Sequence, residues 1–352
     1  MKKDYFDPLK VLYHYRKMAD IVEGKRIAPV TVSIDPSAVC NQHCIFCSGT
    51  GYVNKKTAIL ERDIFFNLAN SLHRMGIGSA WFTGGGEPLC NPHIAEAIVE
   101  FANKKIKLGM VTNGTLLNSS VIKNTIFLDW IRISVDASTA STYSLLHGTN
   151  ENQFWNVLTN IEDVVRHKRD TSSMLNSSCV VGMSFVVHPK NYHEIYDFAV
   201  CAKNIGADYV QFKPLLTIDK WFSEDDMSKT IIHLMTKSRE LETDDFQVLA
   251  NFGRFQHVTT GYTRPYTECL GHNLIGIVMA TGQLNICCHQ RPRDNYAFGD
   301  LHRQTFEEIW FGKEHEKAIK NIRLSECPAC KYEMYNQYLW AMKTPPAHAE
   351  FI

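Results

Sequence analysis

The feature that most restricts this chain is a sixfold alternation between residues 29 and 214. Short β-branched runs at 30–34, 80–83, 108–112, 131–135, 181–187 and 209–213 are separated by longer amphipathic stretches. Short runs rich in β-branched residues read as strands. Spaced by helical periodicity, they predict repeated βα units around a parallel sheet. A closed barrel has eight units; six predict an α/β fold with a partial, open (β/α)6 TIM-like barrel. The runs end at Asp35, at Gly84, Gly85, Gly86 and Glu87, at Asn113, Asp136, His188 and Lys213. Strand C-terminal ends are where a parallel barrel gathers its working residues.

The flanking segments divide the rest. Residues 1–28, with Leu9, Val11, Leu12, Tyr15 and Met18, predict a helical segment packed outside the barrel, which spans 29–215. A bridging segment at 216–262 carries a capping pattern, Ser223, Glu224, Asp225 and Asp226, that opens a helix through Met235. Residues 263–335 shift to turns, cysteines and one helix at 304–322. This suits a small metal-stapled, cluster-binding domain followed by a tail at 336–352. With 352 residues, 45% of them hydrophobic, the chain can bury a full-sized core. Its 37 basic and 37 acidic residues cancel, which argues against a nucleic-acid partner recognised by bulk charge. No apolar run approaches the roughly 20 residues that cross a bilayer. The opening MKKDYFDPLK lacks an apolar signal region, so the expected compartment is the cytoplasm.

Eleven cysteines in a reducing compartment read as metal ligands rather than disulfides. Cys40, Cys44 and Cys47 form CxxxCxxC directly after the first strand. Three close thiolates can hold three irons of a [4Fe-4S] cluster and leave the fourth iron for another ligand. A structural zinc ion with a fourth ligand such as His43 is the alternative that spacing leaves open.

The triplet, with Phe46 before its third cysteine, resembles that of the radical S-adenosylmethionine (radical SAM) superfamily. Thr83-Gly84-Gly85-Gly86-Glu87-Pro88 is similar to the GGEP segment of that family, Thr112-Asn113-Gly114 to its TNG, and Ser134-Val135-Asp136 to its SxD. Phe185, Val186, Val187 and Asn191 resemble its fifth-strand segment. The resemblance implies that Gly84, Gly85, Gly86 and Glu87 meet the SAM amino group, the glycines letting the backbone approach the ligand. It also implies that Asn113, Ser134 and Asp136 line the SAM site, and that Val187 and Phe46 support the adenine. Ala137 and His147 depart from the family, whose members often carry Gly and Arg there. The implied chemistry is reductive cleavage of SAM to a 5'-deoxyadenosyl radical, driven by an external one-electron donor such as flavodoxin or ferredoxin.

Cys269, Gly282 and Cys287 form CX12GX4C, and Cys327 with Cys330 a CxxC. Four thiolates close a second [4Fe-4S] cluster, although a tetrahedral zinc fits the same spacing. The arrangement resembles the SPASM/twitch extension. Because no cysteine follows Cys330, it resembles the shorter twitch form, which implies one auxiliary cluster. Cys288 rivals Cys287 as a ligand. Of the remaining thiols, Cys90, Cys179 and Cys201 read as small buried hydrophobes. Cys179, beside the fifth strand, is the candidate for returning a hydrogen atom to a substrate radical, while His147, His188 and Lys213 are candidate substrate contacts.

The twitch form resembles that of the radical SAM alcohol dehydrogenase of aminocyclitol biosynthesis. The expected reaction is therefore oxidation of a hydroxylated small molecule, such as an aminosugar, cyclitol or nucleotide sugar, with help from the auxiliary cluster. Peptide modification of the SPASM type, a redox-neutral epimerisation or decarboxylation, and a zinc-stapled binding protein are the alternatives.

Overall fold

Ten strands join in one sheet in the computed structural model, which describes residues 7–49, 52–54, 57–175, 179–215, 226–259, 263–291, 293–327 and 330–351. They are β1 (Thr31–Ile34), β2 (Ser79–Phe82), β3 (Lys107–Thr112), β4 (Trp130–Ser134), β5 (Val180–Val187), β6 (Tyr209–Pro214), β7 (Gln247–Ala250), β8 (Ile275–Val278), β9 (Leu284–Asn285) and β10 (Ala297–Phe298). β1 to β7 lie side by side in chain order and all parallel, the arrangement that right-handed βα crossovers produce. The partial barrel is as expected, with strands β1 to β6 within two residues of their predicted limits.

Helix packing follows the sequence pattern. Helix Arg62–Arg74 buries Phe65, Leu68, Ala69 and Leu72, one i, i+3, i+4, i+7 stripe. Phe65 meets Phe82 of β2 edge-on at 5.6 Å, and Phe82 meets Phe101 of helix Ile94–Asn103 at 5.4 Å. Phe82 is fully buried, so its truncation to alanine costs about 3–5 kcal/mol.

Four expectations are corrected. First, the barrel does not stop at six strands: β7 extends it from within the bridging segment, whose Ser223, Glu224 and Asp225 lie outside the described residues. Helix Asp226–Ser238 is present there. Second, the small cysteine-rich domain expected at 263–335 shares the sheet of the barrel. β8 pairs in parallel with β1, Thr31 opposite Ile275 and Val32 opposite Gly276, so the barrel sheet continues through β8 into the antiparallel β9 and β10. Third, helix Glu333–Lys343 runs across the expected start of the tail at 336. It packs with Met18 and Ile21 of helix Tyr15–Val22 through Leu339, in a cluster that includes Leu274 and Ile277. Fourth, the helix expected at 304–322 is two, Phe306–Trp310 and Lys313–Lys320, interrupted at Gly312. Arg291 clamps the C-terminal part to the barrel, its Nε and Nη2 donating to the fully buried Asp35 carboxylate after β1 at 2.5 and 2.7 Å. Among the described residues, no helix is long and apolar enough to cross a membrane.

Candidate functional site

A cavity of about 350 Å3 opens at the C-terminal ends of the barrel strands. Cys40, Cys44 and Cys47 line it together with Phe46, Gly84, Gly85, Gly86, Glu87, Asn113, Ser134, Asp136 and His147. The loop that carries the thiols is held by backbone bonds. The His43 and Ile45 amides donate to the carbonyls of His147 and Leu146 at 3.0 and 2.9 Å, and Cys40 N donates to Asn54 Oδ1 at 2.9 Å. His43 itself is exposed and lies off the cavity wall, which removes it as a fourth ligand. Among the described residues, no three His, Cys, Asp or Glu side chains converge on a point that one ion would fill. All three thiols line the same cavity, as the three protein ligands of an open iron-sulfur cube would. Burial pushes the Cys40 thiol up to about 11 and Cys44 higher still, so metal binding must release their protons.

Glu87 shows how the strand ends are tied together. Its buried carboxylate accepts from Thr112 Oγ1 at 2.5 Å, Asn113 N at 2.7 Å and Leu89 N at 3.0 Å. Burial raises this carboxyl to about 6, against those three donors. Asn113 passes the link on, donating from Nδ2 to Asn41 Oδ1 at 2.9 Å within the cysteine loop. These bonds fix the Glu87 carboxylate on the cavity wall beside the cysteine loop and leave Oε2 with one acceptor position. The glycines on the same wall also serve the packing of the chain. A Cβ on Gly85 would lie 2.2 Å from the Tyr52 ring, and one on Gly86 2.2 Å from the Val39 carbonyl oxygen. Close packing of the chain on itself already demands them.

Asp136 adopts φ 60°, an uncommon conformation for a residue with a side chain, of the kind that clusters at functional sites. Its carboxylate accepts from Val186 N at 2.6 Å, and its carbonyl from the buried Asn191 Nδ2 at 2.7 Å. Burial raises its pKa. His147, which departs from the family pattern, is buried 3.5 Å from Asp136 and stacks on Tyr143. Its Nε2 lies 3.0 Å from the Val135 carbonyl, and its Nδ1 lies 3.1 Å from both Gln42 Oε1 and Cys44 Sγ. Burial lowers its pKa and keeps the ring neutral.

The C-terminal cysteines form a second site. Cys269, Cys287, Cys327 and Cys330 all line one narrow recess of about 40 Å3, walled by Ile275, Ile277, Ile286 and Tyr296. Cys288 does not. It is buried in the neighbouring apolar cluster, 3.8 Å from the Tyr332 hydroxyl. Gln290 Nε2 lies 3.8 Å from Cys327 Sγ, and Tyr332 N donates to Cys330 Sγ at 3.3 Å. Burial raises Cys269 to about 11 and Cys330 to about 12. Four thiols in one closed recess match the ligand set of a saturated cluster.

Between the two sites lies a third cavity, of about 900 Å3. It shares Lys213, Pro214 and Arg254 with the barrel-mouth cavity and reaches Cys330 of the recess. Arg254 and Lys331 on its wall, and the Arg291 clamp, escape sequence reasoning because no local pattern marks them.

Three expected site residues are misplaced. Cys179 precedes the first residue of β5, at the end of the barrel opposite the cavity. It is buried in the core, with its thiol pushed up to about 12, and cannot meet a substrate radical. Val187 points into the core, and its neighbour Val186 lines the cavity, since successive strand residues face opposite sides. His188 lies off the cavity wall; its Nδ1 accepts from Lys190 N within its own turn.

The model of the radical SAM superfamily matches residues 34–199, and that of the SPASM iron-sulfur cluster-binding domain matches residues 269–331. The chain is 22% identical over 331 residues to the AdoMet-dependent heme synthase of Methanosarcina barkeri, covering 87% of this chain and 89% of that protein. It is 26% identical over 267 residues to a probable GTP 3',8-cyclase of Saccharolobus islandicus, covering 72% and 80%. Among solved structures it resembles SuiB of Streptococcus suis bound to S-adenosylmethionine, with a TM-score of 0.65 and 14% identity over 91% of this chain and 75% of that one. With three thiols at the barrel mouth, four in the C-terminal recess and both family models in matching order, the chain belongs to the radical SAM superfamily, binds SAM and [4Fe-4S] clusters, and carries a C-terminal SPASM domain.

Proposed function

We propose that this enzyme abstracts hydrogen from a hydroxylated small molecule held in the 900 Å3 cavity and oxidises it, the auxiliary cluster accepting the second electron. The observation that carries this reading is the sharing of Lys213, Pro214 and Arg254 between the SAM cavity and one that extends to Cys330. Substrate in that space lies between the two sets of cysteines. Its size suits a small ligand. The curated relatives above are named for a heme synthesis and a GTP cyclisation, which favours a small-molecule substrate. SuiB has also been crystallised with its precursor peptide, but at 14% identity that likeness speaks for the fold alone.

In this reading Cys40, Cys44 and Cys47 hold the barrel cluster. A reduced cluster held there would supply the electron for reductive cleavage of SAM to methionine and the 5'-deoxyadenosyl radical. Glu87, Asn113 and Asn41 fix the cysteine loop against the strand ends, and Asp136, Ser134 and Phe46 shape the SAM pocket. Cys269, Cys287, Cys327 and Cys330 hold the auxiliary cluster. The substrate gives one hydrogen atom to the radical, one proton to solvent and one electron to the auxiliary cluster, leaving a carbonyl.

The test is anaerobic incubation of reduced, reconstituted protein with SAM. 5'-Deoxyadenosine is expected, and its absence overturns the radical reading. Deuterium on the carbinol carbon of candidate polyols is expected to appear in 5'-deoxyadenosine; label retained in recovered SAM would favour rearrangement instead.

A further inference from the structure

The wall of the 900 Å3 cavity carries more positive charge than the described residues neutralise. Lys213 comes from the end of β6, Arg254 from helix Phe252–Thr259, and Lys331 follows Cys330, so three separate elements bring cations to one space. Among the described residues, no carboxylate lies within the 4.0 Å of an ion pair with any of the three. Lys213 Nζ donates to the Ser184 hydroxyl at 3.2 Å, and Lys331 Nζ sits over the Tyr332 and Trp81 rings at 4.8 and 5.7 Å. A fourth cation, Arg239, is engaged otherwise: Nη2 donates to the Ala250 carbonyl at 3.0 Å and the guanidinium covers Phe252.

The two acids on the same wall are also engaged. Glu333 accepts from Tyr266 Oη at 2.7 Å and Gln337 Nε2 at 3.2 Å, and Glu242 from Val248 N at 3.2 Å. Burial, then the neighbouring Arg132, push Lys213 down to about 7, while Asp136 pulls the other way and Arg254 and Lys331 add to the repulsion. Burial lowers Arg254, with Cys330 opposing it and Arg132 adding to the lowering. Lys331 is exposed, whereas Lys213 and Arg254 are half-buried; holding these like charges together with no carboxylate among them is costly, and an anion arriving with the ligand offsets that cost.

We infer that the substrate carries an anionic group, a carboxylate or a phosphate, and that Arg254, Lys213 and Lys331 bind it in the cavity between the two cysteine sites. Arg254 offers the planar fork that both anions accept, with Lys213 and Lys331 as point charges on either side. Because Lys213 and Arg254 also line the SAM cavity, an anion held there keeps the rest of a small substrate at the passage between the two spaces. The inference rests on the proposed reading of that cavity as the substrate chamber.

The test uses the SAM-loaded, reconstituted holoenzyme and calorimetric titration with two probes, glycerol phosphate and glutarate. Saturable binding of either supports the site, and the tighter probe identifies phosphate or carboxylate. Arg254→Gln is expected to weaken that probe about tenfold, the loss of one charged contact, with Arg254→Lys recovering part of it. Lys331→Gln, on a different element, provides a second measurement should the Arg254 variant misfold. Wild-type enzyme that binds neither probe while still cleaving SAM overturns the inference and leaves the proposed function intact. Probe binding without SAM cleavage does the reverse. Variants that weaken SAM and leave probe affinity unchanged also overturn it, since the cations would then serve the SAM carboxylate.

Discussion

The two cysteine sites of this protein differ in sequence, shape and exposure. The barrel-mouth thiols come from a single loop, Cys40 to Cys47, and face a cavity of about 350 Å3 that adjoins another of about 900 Å3. The C-terminal thiols come from separated stretches of chain, at 269, 287 and 327–330, and close on a recess of about 40 Å3 walled by isoleucines and tyrosines. Three ligands with room beside them leave one iron corner for SAM. Four ligands in a tight apolar recess leave none, and suit a cluster that only passes electrons. Ligand number and free volume change together, which makes the contrast testable at each site.

The largest effect expected is from Cys44→Ala. Iron content should fall by half and 5'-deoxyadenosine production to background, while Cys287→Ala loses the other half of the iron and still cleaves SAM. Cys288→Ala should keep all of it, because Cys288 lies outside the recess. Iron analysis and chromatography of SAM products on the three variants read this directly. A Cys288 variant that loses a cluster while the Cys287 variant retains it would reverse the assignment.

A smaller effect is expected from Glu87→Gln, which keeps the shape of the side chain and replaces one acceptor oxygen by a donor. At least one of the bonds from Thr112, Asn113 and Leu89 must then fail inside the core, at about 1–3 kcal/mol. The expected result is a lower unfolding temperature and weaker SAM binding by calorimetry, with the auxiliary cluster's spectrum unchanged. If the auxiliary signal changed as well, the two sites would not be separable units.

The same contrast explains what could be read in the sequence. The open site is local. CxxxCxxC, GGGEP, TNG and SxD each sit on one strand end, so a linear pattern names Cys40, Glu87, Asn113 and Asp136 before any fold is known. β1 to β6 are legible for a related reason, each being a short run rich in β-branched and apolar residues set between amphipathic helices. β7, with Gln247 to Ala250 half facing a cavity, and β8, whose Ile-Gly-Ile-Val sits among turns, carry too few residues to announce themselves. Proximity in sequence also misled: Cys179 adjoins the fifth strand but at its wrong end, and only the direction of β5 decides that. The cations of the central cavity are the least legible, because Lys213, Arg254 and Lys331 acquire a common meaning only when three distant segments meet.

That central cavity sharpens the comparison further, since it stores electrostatic cost where the closed recess stores none. Lys213 is pushed down to about 7 in the folded chain, against about 10.4 when unfolded. Below pH 7 both states carry the proton and the folded state bears the full cost of the charge. Between pH 7 and about 10 the unfolded chain binds more protons than the folded one, so stability rises with pH across that window and levels off above it. Lys213→Met removes the titration. The variant is expected to be more stable than the parent at pH 7, by about 1 kcal/mol given the water that screens a half-buried amine, and to lose that advantage by pH 10. Paired denaturant unfolding of the anaerobic holoprotein at the two pH values measures it, changes common to both chains cancelling. A variant less stable than the parent at pH 7 would mean that the ammonium is already satisfied within the protein. The cavity would then hold no charge for an incoming anion to neutralise, and the distinction between a poised chamber and an inert recess would fall.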